Sequence, residues 1–214
     1  MIKVVPFNPD TLKEAVSILK KGGVIAHPAD TCFGLAADAY NPKAFHKVQD
    51  IKGRDFKKPM SIMIPVVQLL KIKKYAILDD FSSYVVSKLF PGAVTLILPK
   101  GPEIPDYYFP DTSNVGLRVP MHNMTQDMLT AFKGPLITTS ANPSGKDLCF
   151  THKEVIKAFK NSEHKPDLVF EGKTTNRNLA STVIEVKSDR VKIIRKGPVS
   201  ASQLEAILGV PVKE

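Results

Sequence analysis

Apolar positions change their spacing repeatedly along this chain, and each change marks an element. After a short opening strand, Asn8-Pro9 supplies an N-cap and a first-turn proline. Leu12, Ala15, Val16 and Leu19 then recur at helical spacing as far as Gly22-Gly23. From Val24 to His27 the pattern becomes a short buried strand, broken by Pro28 and resumed from Cys32 to Ala37 after a polar corner that holds Asp30 and Thr31. Ala44, Val48 and Ile51 predict a second helix ending near Gly53, and Met60 to Ile64 a strand. Further helices are predicted over Asp79 to Leu89, Asn123 to Phe132 and His152 to Phe159. Strands are predicted over Ala93 to Leu98, Val115 to Val119, Leu136 to Ser140, Leu168 to Phe170, Thr182 to Val186 and Val191 to Ile194. Ser200 and Gln203 form a capping box ahead of Leu204, Ile207 and Leu208, with Gly209 as the stop. Strands outnumber helices in an irregular order. The expectation is therefore one α/β domain over residues 1–214, with a mixed sheet and flanking helices in place of a βαβ repeat. Pro99 to Pro110 reads as one long surface loop.

Composition adds bounds. The 214 residues suit one domain, and 43% hydrophobic residues are ample for a core. No apolar run approaches the roughly 20 residues of a bilayer span, and the first residues lack the charged and apolar regions of a signal peptide, so a cytoplasmic protein is expected. Cys32 and Cys149 fit no disulfide framework or metal spacing and read as reduced structural thiols; the five histidines are scattered, so no protein-held metal is expected. A net charge of +9 concentrates anions but does not choose among nucleic acid, a nucleotide, an acidic small molecule and a merely solvated lysine face.

Two polar motifs narrow the chemistry. Lys52-Gly53-Arg54, with Lys57-Lys58-Pro59 close behind, puts four cations within seven positions. Gly53 favours an extended segment in which Lys52 and Arg54 share a side, against a helix end at which they would cap carbonyls. Far downstream, Thr138-Thr139-Ser140-Ala141-Asn142-Pro143-Ser144-Gly145 ends an apolar strand with hydroxyls, a carboxamide and a glycine turn, Thr138 and Ser140 falling on one face. Ser140 lacks a nucleophile elbow, so binding is expected of it in place of covalent catalysis. Thr31 is placed to aim its hydroxyl into a cleft. Arg118, inside an apolar strand, needs an anion: a ligand carboxylate or an internal one. Arg195 and Lys196 end the last long strand where they can reach a phosphate, and the same alternative applies to them.

Taken in order, Pro28-Ala29-Asp30-Thr31-Cys32-Phe33-Gly34-Leu35, Lys52-Gly53-Arg54, Lys58-Pro59, Val115 to Pro120, Ser140 to Gly145 and Arg195-Lys196-Gly197-Pro198 resemble the YrdC-type threonylcarbamoyl-AMP synthases over nearly the whole chain. The resemblance implies a twisted mixed sheet around a large basic cavity. It also implies synthesis of threonylcarbamoyl-AMP and pyrophosphate from L-threonine, bicarbonate and ATP, with Mg²⁺ carried by ATP. The intermediate would be handed to a tRNA threonylcarbamoyl transferase. By the same resemblance Lys52, Arg54, Lys58, Asn114, Ser140, Asn142 and Arg195 would surround the nucleotide, with Lys52 and Arg54 catalytic. Thr31, Arg118, Thr138 and Ser181 would hold threonine, Arg118 on its carboxylate. Many members carry a histidine where this chain has Met63, which implies a different pocket wall. A non-catalytic RNA-binding module using the same basic concavity is the competing reading, although aromatic residues are only 7% and none cluster with the lysines. A related enzyme of unknown substrate is a third.

Overall fold

The computed structural model describes residues 2–53, 60–108, 112–174 and 179–214. Its strands are β1 (Lys3–Val5), β2 (Ile25–His27), β3 (Gly34–Asp38), β4 (Ser61–Met63), β5 (Val94–Pro99), β6 (Asn114–Arg118), β7 (Leu136–Ser140), β8 (Leu168–Phe170), β9 (Thr182–Lys187), β10 (Arg190–Arg195) and β11 (Val212–Lys213). They join one mixed sheet in the order β1-β8-β2-β3-β7-β4-β6-β5-β9-β10-β11. The helices are α1 (Pro9–Lys20), α2 (Pro42–Lys52), α3 (Asp80–Leu89), α4 (Asn123–Phe132), α5 (His152–Ala158) and α6 (Ala201–Leu208). Local chemistry sets their ends: the Asn8 side chain accepts from the Asp10 and Thr11 amides ahead of α1, and Ser200 accepts from Gln203 ahead of α6.

Period-two alternation divides the sheet into two unlike faces. Leu35, Ile62, Leu96, Leu117 and Ile137 point to one of them, fully buried in a core completed by Phe45 and Val48 of α2, Val85 and Leu89 of α3, Val155 of α5 and Leu204 of α6. Each such aliphatic side chain contributes roughly 1.5–3 kcal/mol by leaving water. On the other face Ala36, Met63 and Leu136 lie under Ala15 and Leu19 of α1 and Met128 and Leu129 of α4. The same face continues through cross-strand neighbours: Gly34 beside Ser140, Thr138 beside Ser61, Ser61 beside Gly116, and Gly116 beside Ile97, two positions from Thr95. Small and hydroxyl-bearing residues thus occupy the half of this face beyond α1 and α4, and a recess opens there.

Two stretches depart from the sequence reading. The segment from Pro99 onward is not a simple surface loop: the Gly101 amide donates to Tyr75 O, the Glu103 amide to Lys74 O, and Ile104 is buried. Gly101 is required there, because a Cβ would stand 2.5 Å from the Ala76 amide nitrogen. This stretch instead locks down the 3-10 helix Val66–Lys74, which the periodicity did not reveal. Lys52-Gly53 is not extended. Lys52 is the last residue of α2, and Gly53, at φ 57°, is its left-handed C-terminal stop.

His27, at the end of β2, has a pH signature. A carbonyl can only accept, so the ring donates from Nδ1 to Pro28 O at 2.9 Å, and Nε2 is buried with no partner among the described residues. Burial pushes its pKa down to about 4, against the Pro28 hydrogen bond, with His122 and Arg118 adding to the depression. Between an unfolded value near 6.5 and about 4 only the unfolded chain takes the proton, so stability falls as pH drops through that window and levels off below it. The whole effect is on the order of 3 kcal/mol. Chemical denaturation of wild type and His27→Gln at pH 7 and pH 4.5 checks this: the gap between the two proteins should narrow at the lower pH.

Candidate functional site

The recess is a cavity of about 240 Å³ on the hydroxyl-bearing face of the sheet. Its floor is Gly34, Ser61, Thr95, Thr138 and Ser140; Lys52, Arg118 and Arg195 reach it from three sides, and Asn142, Ser144, Gly145 and Ser181 close its rim. Among the described lining residues there are three cations and no carboxylate, which favours an anionic occupant.

Lys52 is buried, and its ammonium donates to Ser140 O at 2.7 Å, to Asn142 O at 2.5 Å and to Asn142 Oδ1 at 3.0 Å. The Ser144 amide donates in return to Lys52 O at 2.8 Å. The C-terminus of α2 and the Ser-x-Asn turn after β7 are therefore clasped in both directions. Asn142 completes the turn by donating from Nδ2 to Lys146 O.

Arg118, only 7% exposed, meets an internal carboxylate: Nη2 donates to Asp30 Oδ1 at 2.5 Å and to Thr31 Oγ1 at 3.0 Å. Asp30 also accepts from the Met121 amide. Asp30 is not part of the cavity wall whereas Arg118 is, so the pair braces the guanidinium from behind. Among the described residues its Nε is buried without a hydrogen-bond partner.

Arg195 donates to Ser181 O at 2.8 Å and to Ser181 Oγ at 3.1 Å, and Ser181 Oγ lies 2.9 Å from Thr95 Oγ1. Burial holds the Arg195 pKa below its usual value, and Arg118 adds to the lowering. Between the two arginines sits Cys32, whose thiol pKa is raised by burial although Arg118, Arg195 and Lys52 pull it down. A protonated thiol is no nucleophile. Both cysteines are free and buried.

The structure thus brings Lys52, Arg118, Thr138, Ser140, Asn142, Ser181 and Arg195 around one cavity, with Thr31 bonded to Arg118 just outside it. It does not bring Asn114 there. That residue lines a neighbouring recess with Ile97, Glu185 and Arg190, four positions along β6 from Arg118. Arg54 and Lys58 lie outside the described residues. Met63 is not a pocket wall: it is buried beneath α1 and α4. Lys196 pairs with Glu214 at the surface.

Ser61 and Thr95 line the cavity but lie in no motif of the sequence. Their signal is a small or hydroxyl residue at alternate positions of otherwise apolar strands. Gly116 matters for close approach, because a Cβ there would stand 2.8 Å from Ser61 Oγ and 3.4 Å from Thr95 Cγ2. Gly116→Val fills the space between them and is expected to lower turnover by about 100-fold through misplacement of the ligand. Steady-state kinetics, with circular dichroism to confirm the fold, check it.

Among the described residues no helix is long and apolar enough to cross a membrane, and no group of three His, Cys, Asp or Glu could hold a metal ion.

A sequence model of the Sua5/YciO/YrdC family, described as "Telomere recombination", matches residues 17–197. The threonylcarbamoyl-AMP synthase of Vibrio parahaemolyticus is 30% identical over 189 residues, covering 88% of this chain and 100% of its own. A Methanocaldococcus jannaschii protein that carries the same name provisionally is 34% identical over 212 residues, covering 95% of this chain and 96% of its own. Pyrococcus abyssi Sua5, solved in complex with L-threonine, superposes with a TM-score of 0.88 at 24% identity, covering 99% of this chain, which spans 62% of that one. Escherichia coli YciO superposes with a TM-score of 0.81 at 23% identity, covering 95% of this chain and 98% of its own. At such identities the two solved structures speak to fold alone.

Proposed function

The chain belongs to the Sua5/YciO/YrdC family, and on that premise we propose that it is a threonylcarbamoyl-AMP synthase. It joins L-threonine to bicarbonate with loss of water. The resulting carbamate oxygen then attacks the α-phosphorus of ATP, releasing pyrophosphate. The observation that carries this reading is the cavity itself, in which three cations and a row of hydroxyls converge with no carboxylate among the described lining residues. A carbamate is already nucleophilic, so adenylation needs positioning and charge neutralisation more than a protein base. The protonated state of Cys32 agrees with this, since no covalent step is called for.

Within this reading Arg118 takes the α-carboxylate of threonine, with Thr31, Thr138 and Ser181 around the amino acid. Lys52, Ser140, Asn142 and Arg195 form the nucleotide side, to which Arg54 and Lys58 add contacts. Mg²⁺ arrives with ATP as part of the substrate. The adenylate passes to a tRNA threonylcarbamoyl transferase in the cytoplasm, and a basic surface suits transient contact with RNA there. A non-catalytic RNA-binding role is not favoured, because the relatives are named as synthases and the Lys52 clasp on Ser140 and Asn142 is intact.

The test is pyrophosphate release from Mg·ATP and bicarbonate, with and without L-threonine and with L-serine as control. Threonine-dependent release is expected. No release with either amino acid overturns the proposal.

A further inference from the structure

The hydroxyl of Thr95 has no role in the assignments above, yet it stands at the end of a polarised chain. Arg195 Nη2 donates to Ser181 Oγ, and Ser181 Oγ and Thr95 Oγ1 share a single hydrogen bond of 2.9 Å. Two hydroxyls carry two protons, and that bond uses one. Among the described residues neither hydroxyl has another acceptor, so one O–H remains to be satisfied by something in the cavity, whose wall includes both residues. Direction follows from electrostatics: a hydroxyl that accepts from a guanidinium turns its own proton away from it, and each link strengthens the next. Ser181 therefore donates to Thr95, and the terminal proton is on Thr95 Oγ1.

Where that proton points is fixed by the sheet. Leu96 faces Leu117 across the antiparallel β5/β6 ladder, so the next step of the register sets Thr95 beside Arg118. The Thr95 methyl is turned towards Gly116, where it would lie 3.4 Å from an added Cβ, and its hydroxyl towards Ser181. The rotamer is thus held from both sides. Arg118 and Thr95 both line the cavity, so the hydroxyl and the guanidinium share one part of its wall.

Resting on the synthase reading, we infer that Thr95 is an amino-acid-binding residue, donating its hydroxyl proton to an oxygen of L-threonine beside Arg118. Arg195, through Ser181, is then a positioning residue for the amino-acid subsite as well as a cation on the nucleotide side.

Calorimetric titration of L-threonine and, separately, of ATP into wild type, Thr95→Val and Thr95→Ser tests this. Valine keeps the shape and removes the hydroxyl, whereas serine restores it. Thr95→Val should bind L-threonine about tenfold more weakly, the range of a lost hydrogen bond to a charged group. Its ATP affinity should match wild type, and Thr95→Ser should recover most of the loss. Wild-type threonine affinity in Thr95→Val overturns the inference alone, as does a parallel loss of ATP and threonine affinity, which marks a structural role. Failure of wild type itself to bind L-threonine overturns the synthase reading and this inference together.

Discussion

Lys52→Met is expected to lower threonylcarbamoyl-AMP formation by at least about 100-fold, the scale at which removal of one organised charge-stabilising donor is felt. The ammonium is engaged by Ser140 O, Asn142 O and Asn142 Oδ1, so its first effect is to hold the turn that carries Ser140 and Asn142 in place. Its second is charge, delivered at the cavity wall from a buried position. Methionine keeps the apolar stem and removes both. It also takes the cationic donor from Asn142 O and Asn142 Oδ1, at about 1–3 kcal/mol for each that water does not reach, while Ser140 O keeps the Asn142 amide. Lys52→Arg is expected to rescue poorly, because a planar fork cannot reproduce three converging bonds to one nitrogen. Turnover of the three proteins, measured alongside urea unfolding, separates the contributions. Near-wild-type turnover in Lys52→Met would remove Lys52 from the mechanism.

Arg118→Met carries the second large effect, and it falls on stability as well as binding. Asp30 and Arg118 have side chains 9% and 8% exposed, so deleting the guanidinium strands a buried carboxylate. Breaking such a pair costs about 3–5 kcal/mol, far more than the intact pair contributes, because the remaining charge has lost both water and partner. Arg118→Met with Asp30→Asn should recover most of that loss, since a neutral amide tolerates burial, but it should not recover L-threonine binding. Urea unfolding and threonine titration of the two single variants and the double variant check both halves. Equal destabilisation in the single and double variants would mean that Asp30 is not the reason for the cost.

Much of this was legible from spacing alone. Asn8-Pro9, Ser200 with Gln203 and Gly209 fix helix ends through bonds made within a few residues, and the structure has them there. Thr138 and Ser140 were assigned to one face by strand alternation, and both line the cavity. The same logic failed at Lys52-Gly53, because Gly53 ends a helix instead of allowing an extended chain, and the contacts that fix Lys52 come from residues 88 to 90 positions away. Arg118 had two open readings. Its internal carboxylate, Asp30, lies 88 positions away and is visible only once β2, β3 and β6 share a sheet. Thr95 was hidden for a different reason: threonine is a good strand former, so one among apolar neighbours carries no alarm. Asn114 was placed at the nucleotide by resemblance alone, and four residues of strand carry it from Arg118 to a separate recess.

On the proposed reading this cavity joins carbon from bicarbonate to threonine and then to AMP. The most direct measurement is mass spectrometry of the nucleotide products formed from ¹³C-bicarbonate, L-threonine and Mg·ATP. An adenylate that contains threonine and a single ¹³C, absent when either threonine or the protein is left out, is the predicted result. ATP consumed without ¹³C entering any nucleotide, or no consumption at all, would contradict it.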